Sequence, residues 1–380
     1  MRSARGKVSR PSVKGELALI AQIRTRAAQA AHAGVRLGIG DDCALLHLRL
    51  GEELAVTTDL SIDGRHFRLD WHPPEAVGHR SLARGLSDLA AMGARPVAAF
   101  LSLGLPRKLT GSAGEGEAEP KIHTGNRRNK PPQTWLDSFL DGLLTLAETY
   151  KTPLAGGDLA ESSIAVADIV MIGAVTRGRA LLRSGARPGD HLYVTGSLGG
   201  AAAGIERLGQ LSGMEKKGRT RPASLWPPRI PQKWADLLSR HLYPQPRVAQ
   251  GLWLARRGLA ASAIDLSDGL STDLRHLCEE SGVNAEVEAA RLPIHPGASL
   301  EQALHGGEDY ELLFTAPPSA HVPRSIRGVA VTRIGRIVRP SEATPQVMLV
   351  SAQGAQPLEN RGWEHFAGCS AAAALGSHAD

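Results

Sequence analysis

The sequence predicts an α+β protein of two domains, and three observations carry the prediction. Its 380 residues exceed the ~250 to 300 at which a single hydrophobic core stops growing. Through the first half, segments with helical apolar spacing alternate with short β-branched runs, the pattern of helices packed on sheets. Composition shifts near residues 176–190, where RGRALLRSGARPGD joins two such series, and the domain boundary is expected there.

The elements follow in order. ELALIAQIRTRAAQA repeats Leu17, Ile20, Ile23 and Ala27 at helical spacing. LAVTTD is a short strand expected to deliver Asp59 at its end. In PPEAVGHRSLARGLSDLAAMGA, Pro74 suits a helix start, and Val77, Leu82, Leu86, Leu89 and Met92 supply an apolar face in which Asp88 is embedded. PVAAFLSLGLP reads as a buried strand, WLDSFLDGLLTLAETY as a helix, TPLAGGD as a strand ending in Asp158, and IAVADIVMIGAVT as another strand.

The second half opens with the strand HLYVTG. The glycines of GSLGGAAAG then start a helix, either to receive a phosphate on its free N–H groups or simply to make a tight turn. In ASAIDLSDGLSTDLRHLCEESG, Ile264 and Leu266 end a strand, Ser267 or Asp268 is expected to cap, and Leu270, Leu274 and Leu277 face the core. Asp265, Ser267 and Asp268 then meet at a positive helix terminus, which suits phosphate and Mg²⁺ together.

Hydrophobic content of 42% and charged content of 22% belong to the soluble globular class. No run reaches the ~18 apolar residues of a membrane span, and no apolar stretch follows the basic start MRSARGKVSRPSVKGE, so a cytoplasmic location is expected. Cys43, Cys278 and Cys369 lack any C-x-x-C spacing, which argues against a disulfide framework or a zinc site. The net charge of +6 sits in residues 1–14, 107–130 and 215–240, leaving an acidic body. With aromatic content of only 4%, specific nucleic-acid recognition is not expected. Residues 1–14 read as a basic tail, and polar Gly/Pro-rich stretches within 107–132 and 208–236 as inserted surface loops.

Chemistry is concentrated in acidic turns: Asp41 and Asp42 in GIGDD, Asp59 in VTTD, Asp158 in AGGD, Asp265 and Asp268 in DLSDG, Glu308 and Asp309 in HGGED. Acids beside turn-forming residues repel one another unless a cation is bound, and oxygen-only ligation favours Mg²⁺ with substrate phosphates. No Walker loop, G-x-G-x-x-G, protein-kinase signature or G-x-S-x-G elbow is present, so nucleotide chemistry needs another scaffold. Phosphoryl transfer asks mainly for positioning and charge neutralisation, and a phosphate nucleophile is already ionised, so no general base is required.

GIGDDCALL, TTDLSIDGRHF, LSDLAAMGARP, AGGD, RSGARPGD, YPQPRVAQG, DLSDGLSTDLRHL, GGEDYELLFT and GWEHF, in this order from about residue 15 to residue 366, closely resemble the thiamine-monophosphate kinase family. The resemblance implies the two-domain fold of the aminoimidazole ribonucleotide synthase type. An N-terminal α/β domain, 15–177, would bind Mg²⁺ and ATP and dimerise, followed by a C-terminal α/β domain, 178–380. It further implies ATP-dependent phosphorylation of thiamine monophosphate to thiamine diphosphate by direct in-line transfer assisted by several Mg²⁺ ions, on a homodimer. By matching motif, Asp41, Thr58, Asp59, Asp88, Asp158, Asp265 and Asp268 would ligate Mg²⁺. Gly157, Asp158, Arg183 and Ser267 would contact ATP. His66, Glu308 or Asp309, and Trp363 would contact thiamine monophosphate. Leu159, Ala160 and Glu161 depart from the hydroxyl residues and Arg that usually follow AGGD, and Trp363 stands where Tyr is more usual. A sibling ATP-dependent synthase and a nucleotide or thiamine-phosphate binding protein without turnover are the alternatives.

Overall fold

A computed structural model of the chain describes residues 16–28, 34–111, 133–216, 231–340 and 346–363. The basic tail, residues 112–132 and 217–230 of the expected inserted loops, Cys369 and the last residues of the GWEHF stretch lie outside the described residues.

Two sheets form the α+β architecture. The first has strand order β3-β6-β4-β5, from β3 (Glu52–Ile62), β4 (Arg95–Leu105), β5 (Leu154–Glu161) and β6 (Val166–Thr176). Its pairs are antiparallel except β4 with β5. A small hairpin of β1 (Val35–Leu37) and β2 (Leu45–Leu46) precedes it. Helices α2 (Pro74–Ala91) and α3 (Trp135–Thr149) bury their apolar stripes with Leu101, Ile169 and Met171 in one core. The amino-terminal α1 (Glu16–Ala27) adds Leu19 and Ile23 to that core.

The second sheet has the order β14-β13-β9-β12-β7-β10-β8. Its strands are β7 (His191–Thr195), β8 (Ser262–Asp265), β9 (Asn284–Glu288), β10 (Leu312–Ala316), β12 (Val329–Val338), β13 (Val347–Ser351) and β14 (Gly354–Pro357), with β11 (Ser325–Ile326) pairing β12. Helices α4 (Gly200–Lys216), α5 (Ala235–Leu242), α6 (Val248–Arg257), α7 (Leu270–Ser281) and α8 (Leu300–His305) complete the chain.

Several local expectations are corrected. Asp59 lies inside β3, because the strand continues through Ile62 against β6. Asp158 likewise lies within β5. Neither Ser267 nor Asp268 caps α7: Gly269 takes the N-cap position at φ 111°, and Asp273 reaches back to accept the Asp268 and Gly269 amides at 3.1 and 3.0 Å. The ends of the segment 208–236 are helical, since Leu208 and Leu211 are buried on α4 and Leu238 packs beside them on α5.

The contact that positions everything else is α2 against its neighbours. A Cβ on Gly78 would stand 1.9 Å from the Phe139 carbonyl oxygen, and one on Gly142 1.8 Å from that of Glu75. Helices α2 and α3 therefore cross with backbones touching. On the other flank, a Cβ on Gly251 of α6 would meet the Ala90 oxygen at 1.9 Å. Gly142→Ala is expected to lower stability by about 1–3 kcal/mol through overpacking, read as a lower urea midpoint with an unchanged denaturant slope.

Candidate active site

Helix α2 carries Arg80, Arg84, Ser87 and Asp88 at successive turns of one face, although the helix is otherwise mostly buried and apolar. Arg84 Nε lies 3.3 Å from Asp59 Oδ1 on β3. Ser87 donates its hydroxyl to Asp265 Oδ2 at 2.6 Å, joining α2 to the end of β8. Thr57, two residues before Asp59 and therefore on the same strand face, donates to Asp88 Oδ2. Asp59, Asp88 and Asp265 thus converge where the two sheets approach.

Burial dominates their electrostatics. Asp265 is pushed up to about 7, first by desolvation and then by the charges of Asp88 and Asp59, against the pull of Ser87 and Arg183. Asp59 rises to about 6 through desolvation and Asp88, opposed by Arg84. Asp88 is raised by desolvation, opposed by its Thr57 bond and by Arg183 and Arg84. Asp59 Oδ2 is buried without a hydrogen-bond partner.

A second layer lies one turn back along α2. Arg80 pairs with Glu308, and both face His241, whose Nδ1 is 3.3 Å from Glu308 Oε2. His241 in turn meets His72, Nε2 to Nε2, at 2.9 Å. Desolvation lowers both imidazoles, His241 to about 4, so both are neutral near pH 7 and one N–H serves the pair. Glu308 is held well below the usual carboxylate range: burial alone would raise it, but Arg80, His241 and Arg84 outweigh that.

The structure places the remaining sequence-predicted residues as follows. Arg183 is exposed, and its charge acts on Asp88 and Asp265, so it faces the cluster. Ser267 and Asp268 lie on the loop after β8. The Ser267 carbonyl accepts the Glu308 amide at 2.8 Å and the Asp268 carbonyl accepts the half-buried Trp363 amide at 3.0 Å. His66 accepts the Ile62 amide on Nδ1, and its carbonyl lies 3.3 Å from Arg80 Nη2.

Other expectations change. Register puts Asp59, Ile169, Leu101 and Gly157 in one cross-strand row, facing α2. The next row, Leu60, Asp168, Ser102 and Asp158, faces the opposite way. Thr58 shares that outer face, so Thr57 stands in the cluster in its place. Asp158 is exposed there, with its own carboxylate turned onto the Leu159 amide at 2.9 Å. Asp41 is exposed before β2 and accepts the Asp42 amide. The predicted ligands are therefore split across a sheet. Among the described residues no three His, Cys, Asp or Glu side chains stand close enough to hold a metal ion.

Glu308 and Asp309, expected on the substrate, are committed internally. Glu308 belongs to the Arg80 network, while Asp309 accepts the Gly199 and Ala201 amides at 2.6 and 3.2 Å. The start of α4, where a phosphate was one expectation, is thus filled by the chain's own carboxylate.

Arg80, Arg84, Ser87, Thr57, His72 and His241 escaped the sequence reading. The signal for three of them was present in polar residues at spacings of three and four within an apolar helix. A cavity of about 560 Å³ beside Trp253, Arg256, Arg257 and Arg327 contains none of the predicted residues.

Comparison with known proteins fits this geometry. The AIR synthase related protein family matches by its N-terminal domain over residues 40–176 and by its C-terminal domain over 187–347, which defines the class. The Escherichia coli K12 thiamine-monophosphate kinase is 38% identical over 368 residues, 93% of this chain and 98% of that enzyme. The crystal structure of thiamine-monophosphate kinase from Stenotrophomonas maltophilia K279a is 35% identical, covers 88% of this chain and 96% of its own, and superposes with a TM-score of 0.66. AaThiL complexed with AMPPCP and TMP is 28% identical, covers 95% of this chain and 100% of its own, with a TM-score of 0.64. The chain belongs to the thiamine-monophosphate kinase family.

The raised carboxylates imply a pH dependence whose sign follows from the shifts. Asp265 and Asp59 hold protons in the folded chain that the unfolded chain has already lost, so their contribution to stability falls as pH rises through about 4 to 7. His72 and His241 act oppositely, losing stability as pH falls from about 6.5 towards 4. The difference between the parent and Asp265→Asn isolates the first effect. In chelator-treated protein, the variant should gain on the parent by about 2 kcal/mol between about pH 5 and 7.5, measured by urea denaturation.

Proposed function

We infer that this chain transfers the γ-phosphoryl group of ATP directly to the phosphate of thiamine monophosphate, giving thiamine diphosphate. The observation that carries the reading is the inter-sheet cluster of Asp59, Asp88 and Asp265 with its orphaned buried oxygen. Support comes from the family relationship and from the AMPPCP and TMP bound by AaThiL.

The donor set fits Mg²⁺: Asp88 raises the proton affinity of both Asp59 and Asp265, one buried oxygen has no partner, and all the candidate ligating atoms are oxygen. Asp59, Asp88 and Asp265 would hold such ions, with Asp268 on the adjoining loop. Bound there, Mg²⁺ supplies neutralisation of charge on the β- and γ-phosphates. The chain's own residues do the rest. Arg183, exposed and facing the cluster, presents a guanidinium to phosphate. Trp363, whose amide meets the Asp268 carbonyl beside Ser267, offers an aromatic face suited to the cationic thiazolium ring, and His66 would add a polar contact to the same substrate. Glu308 and Asp309 position this loop without touching substrate. A phosphate oxygen attacks, the γ-phosphorus to β-bridging-oxygen bond breaks, and no proton acceptor is needed.

Asp158 and Thr58 belong to the outer sheet face, on which the β1–β2 hairpin carrying Asp41 packs and where Leu54, Val56 and Leu60 are 50, 55 and 46% exposed. We read that face as the seat of a second copy of this chain, through which the outer acids would complete a site, and place the domain boundary at 177/178 between β6 and β7. No helix among the described residues is long and apolar enough to cross a membrane, which accords with a cytoplasmic enzyme.

Purified protein given ATP, Mg²⁺ and thiamine monophosphate should release ADP and form thiamine diphosphate, and the absence of both products defeats the assignment. Asp59→Asn should lower kcat by at least about a hundredfold while leaving the folded far-ultraviolet signal intact. Val56→Glu is expected to shift the sedimentation coefficient from dimer to monomer, and a monomeric parent would refute the proposed face.

A further inference from the structure

Arg84 is a guanidinium built into the carboxylate cluster. It reaches Asp59 from α2, its side chain is 19% exposed, and its charge also acts on Asp88 and Glu308. Burial alone would lower its proton affinity, but the neighbouring Asp59 and Glu308 carboxylates outweigh that. One oxygen of Asp59 is taken by Arg84, and the other is buried with no partner. Gly85, next along α2, lets the Met171 side chain pack close beside that second oxygen: a Cβ there would lie 2.4 Å from Met171 Cγ and 3.7 Å from Asp59 Oδ2. The same carboxylates do not close into a metal-holding group among the described residues.

We propose that Arg84 is the resident counter-ion of this cluster, holding Asp59 in the metal-free chain and competing with the divalent cation for that carboxylate. The inference rests on the metal reading of the site given above. Removing a carboxylate's partner leaves the charge buried and uncompensated, so the ion pair steadies the empty cluster. A divalent cation on the second oxygen of Asp59 then stands beside the guanidinium on the first, and repulsion between the two positive charges weakens the metal's apparent affinity. Metal carried in by nucleotide has an advantage over metal alone, because the phosphates supply further ligands and an anion beside the guanidinium.

The test uses the full-length protein stripped of metal and titrated with MgCl₂ alone by calorimetry, with melting temperature followed in parallel. Arg84→Gln is expected to melt lower than the parent without metal, to bind Mg²⁺ about five- to tenfold more tightly, and to show the larger Mg²⁺-induced rise in melting temperature. Arg84→Lys keeps the competing charge and should bind Mg²⁺ within about twofold of the parent. Arg84→Met, which retains the buried stem, gives the same reading as Arg84→Gln should that variant not fold. A merely structural Arg84 would lower the melting temperature of all variants and leave Mg²⁺ affinity unchanged. Equal or weaker Mg²⁺ binding by Arg84→Gln and Arg84→Met overturns the proposal while the metal reading stands. No Mg²⁺ binding by parent or variants overturns both.

Discussion

Three carboxylates, Asp265 buried and Asp59 and Asp88 half-buried, cannot all ionise together without compensation, and the surrounding structure is arranged around that constraint. Coulomb repulsion in a partly desolvated site is several-fold stronger than in bulk solvent. Among the described residues each acid receives one hydrogen-bond donor, Arg84 for Asp59, Thr57 for Asp88 and Ser87 for Asp265. Fully satisfied carboxylates would be stable anions with no reason to bind anything. Half-satisfied ones retain lone pairs and a raised proton affinity, which is the condition under which a cation is attracted to a prebuilt place.

Helix α2 is the part that lets one element serve both sheets. Its polar stripe contacts β3 through Arg84, β8 through Ser87 and the Glu308 loop through Arg80. Such contacts are useful only if the helix axis is fixed, because a shift of about 1 Å degrades positioning for phosphoryl transfer. The glycines supply that fixity. Gly78 and Gly142 seat α2 on α3, and Gly251 seats α6 on the other flank, each at backbone contact. Packing at this range removes rotamer freedom from the interface, so the helix cannot slide without atomic overlap.

This explains what the sequence could and could not reveal. Helices with a strong apolar period, α1, α2 and α3, were legible, as were the strands rich in branched residues, and Asp59, Asp88 and Asp265 stood out from their neighbours. Thr57 and Thr58 differ by one place in a strand, and parity there depends on register with β6, which no local pattern states. The same parity sends Asp158 to the outer face. Arg80 finds His241 and Glu308 at separations of 161 and 228 residues, so its partners emerge only when the chain has folded. Ser267 and Asp268 have the chemistry of caps, but Gly269 sits at φ 111° and Asp273 takes the two amides first.

The loop before β10 shows how a motif rich in acids can be structural. Glu308 and Tyr310 have φ of 66° and 49°, conformations that cost about 1–3 kcal/mol apiece for residues with a Cβ. Three attachments hold them there: the Glu308 and Tyr310 amides bond to the Ser267 and Leu266 carbonyls, Asp309 seats on the start of α4, and Glu308 closes on Arg80 and His241. The loop is thereby clamped to the residues that follow Asp265. Two arginines one turn apart on α2 then divide the acids into two kinds. Arg80 shares Glu308 with His241, so both Glu308 oxygens are occupied and the group is a fixed anion. Arg84 takes only one oxygen of Asp59, leaving the other buried and unpaired. Partner count, and not the kind of residue, separates the carboxylate that braces the site from the one that remains available to a cation.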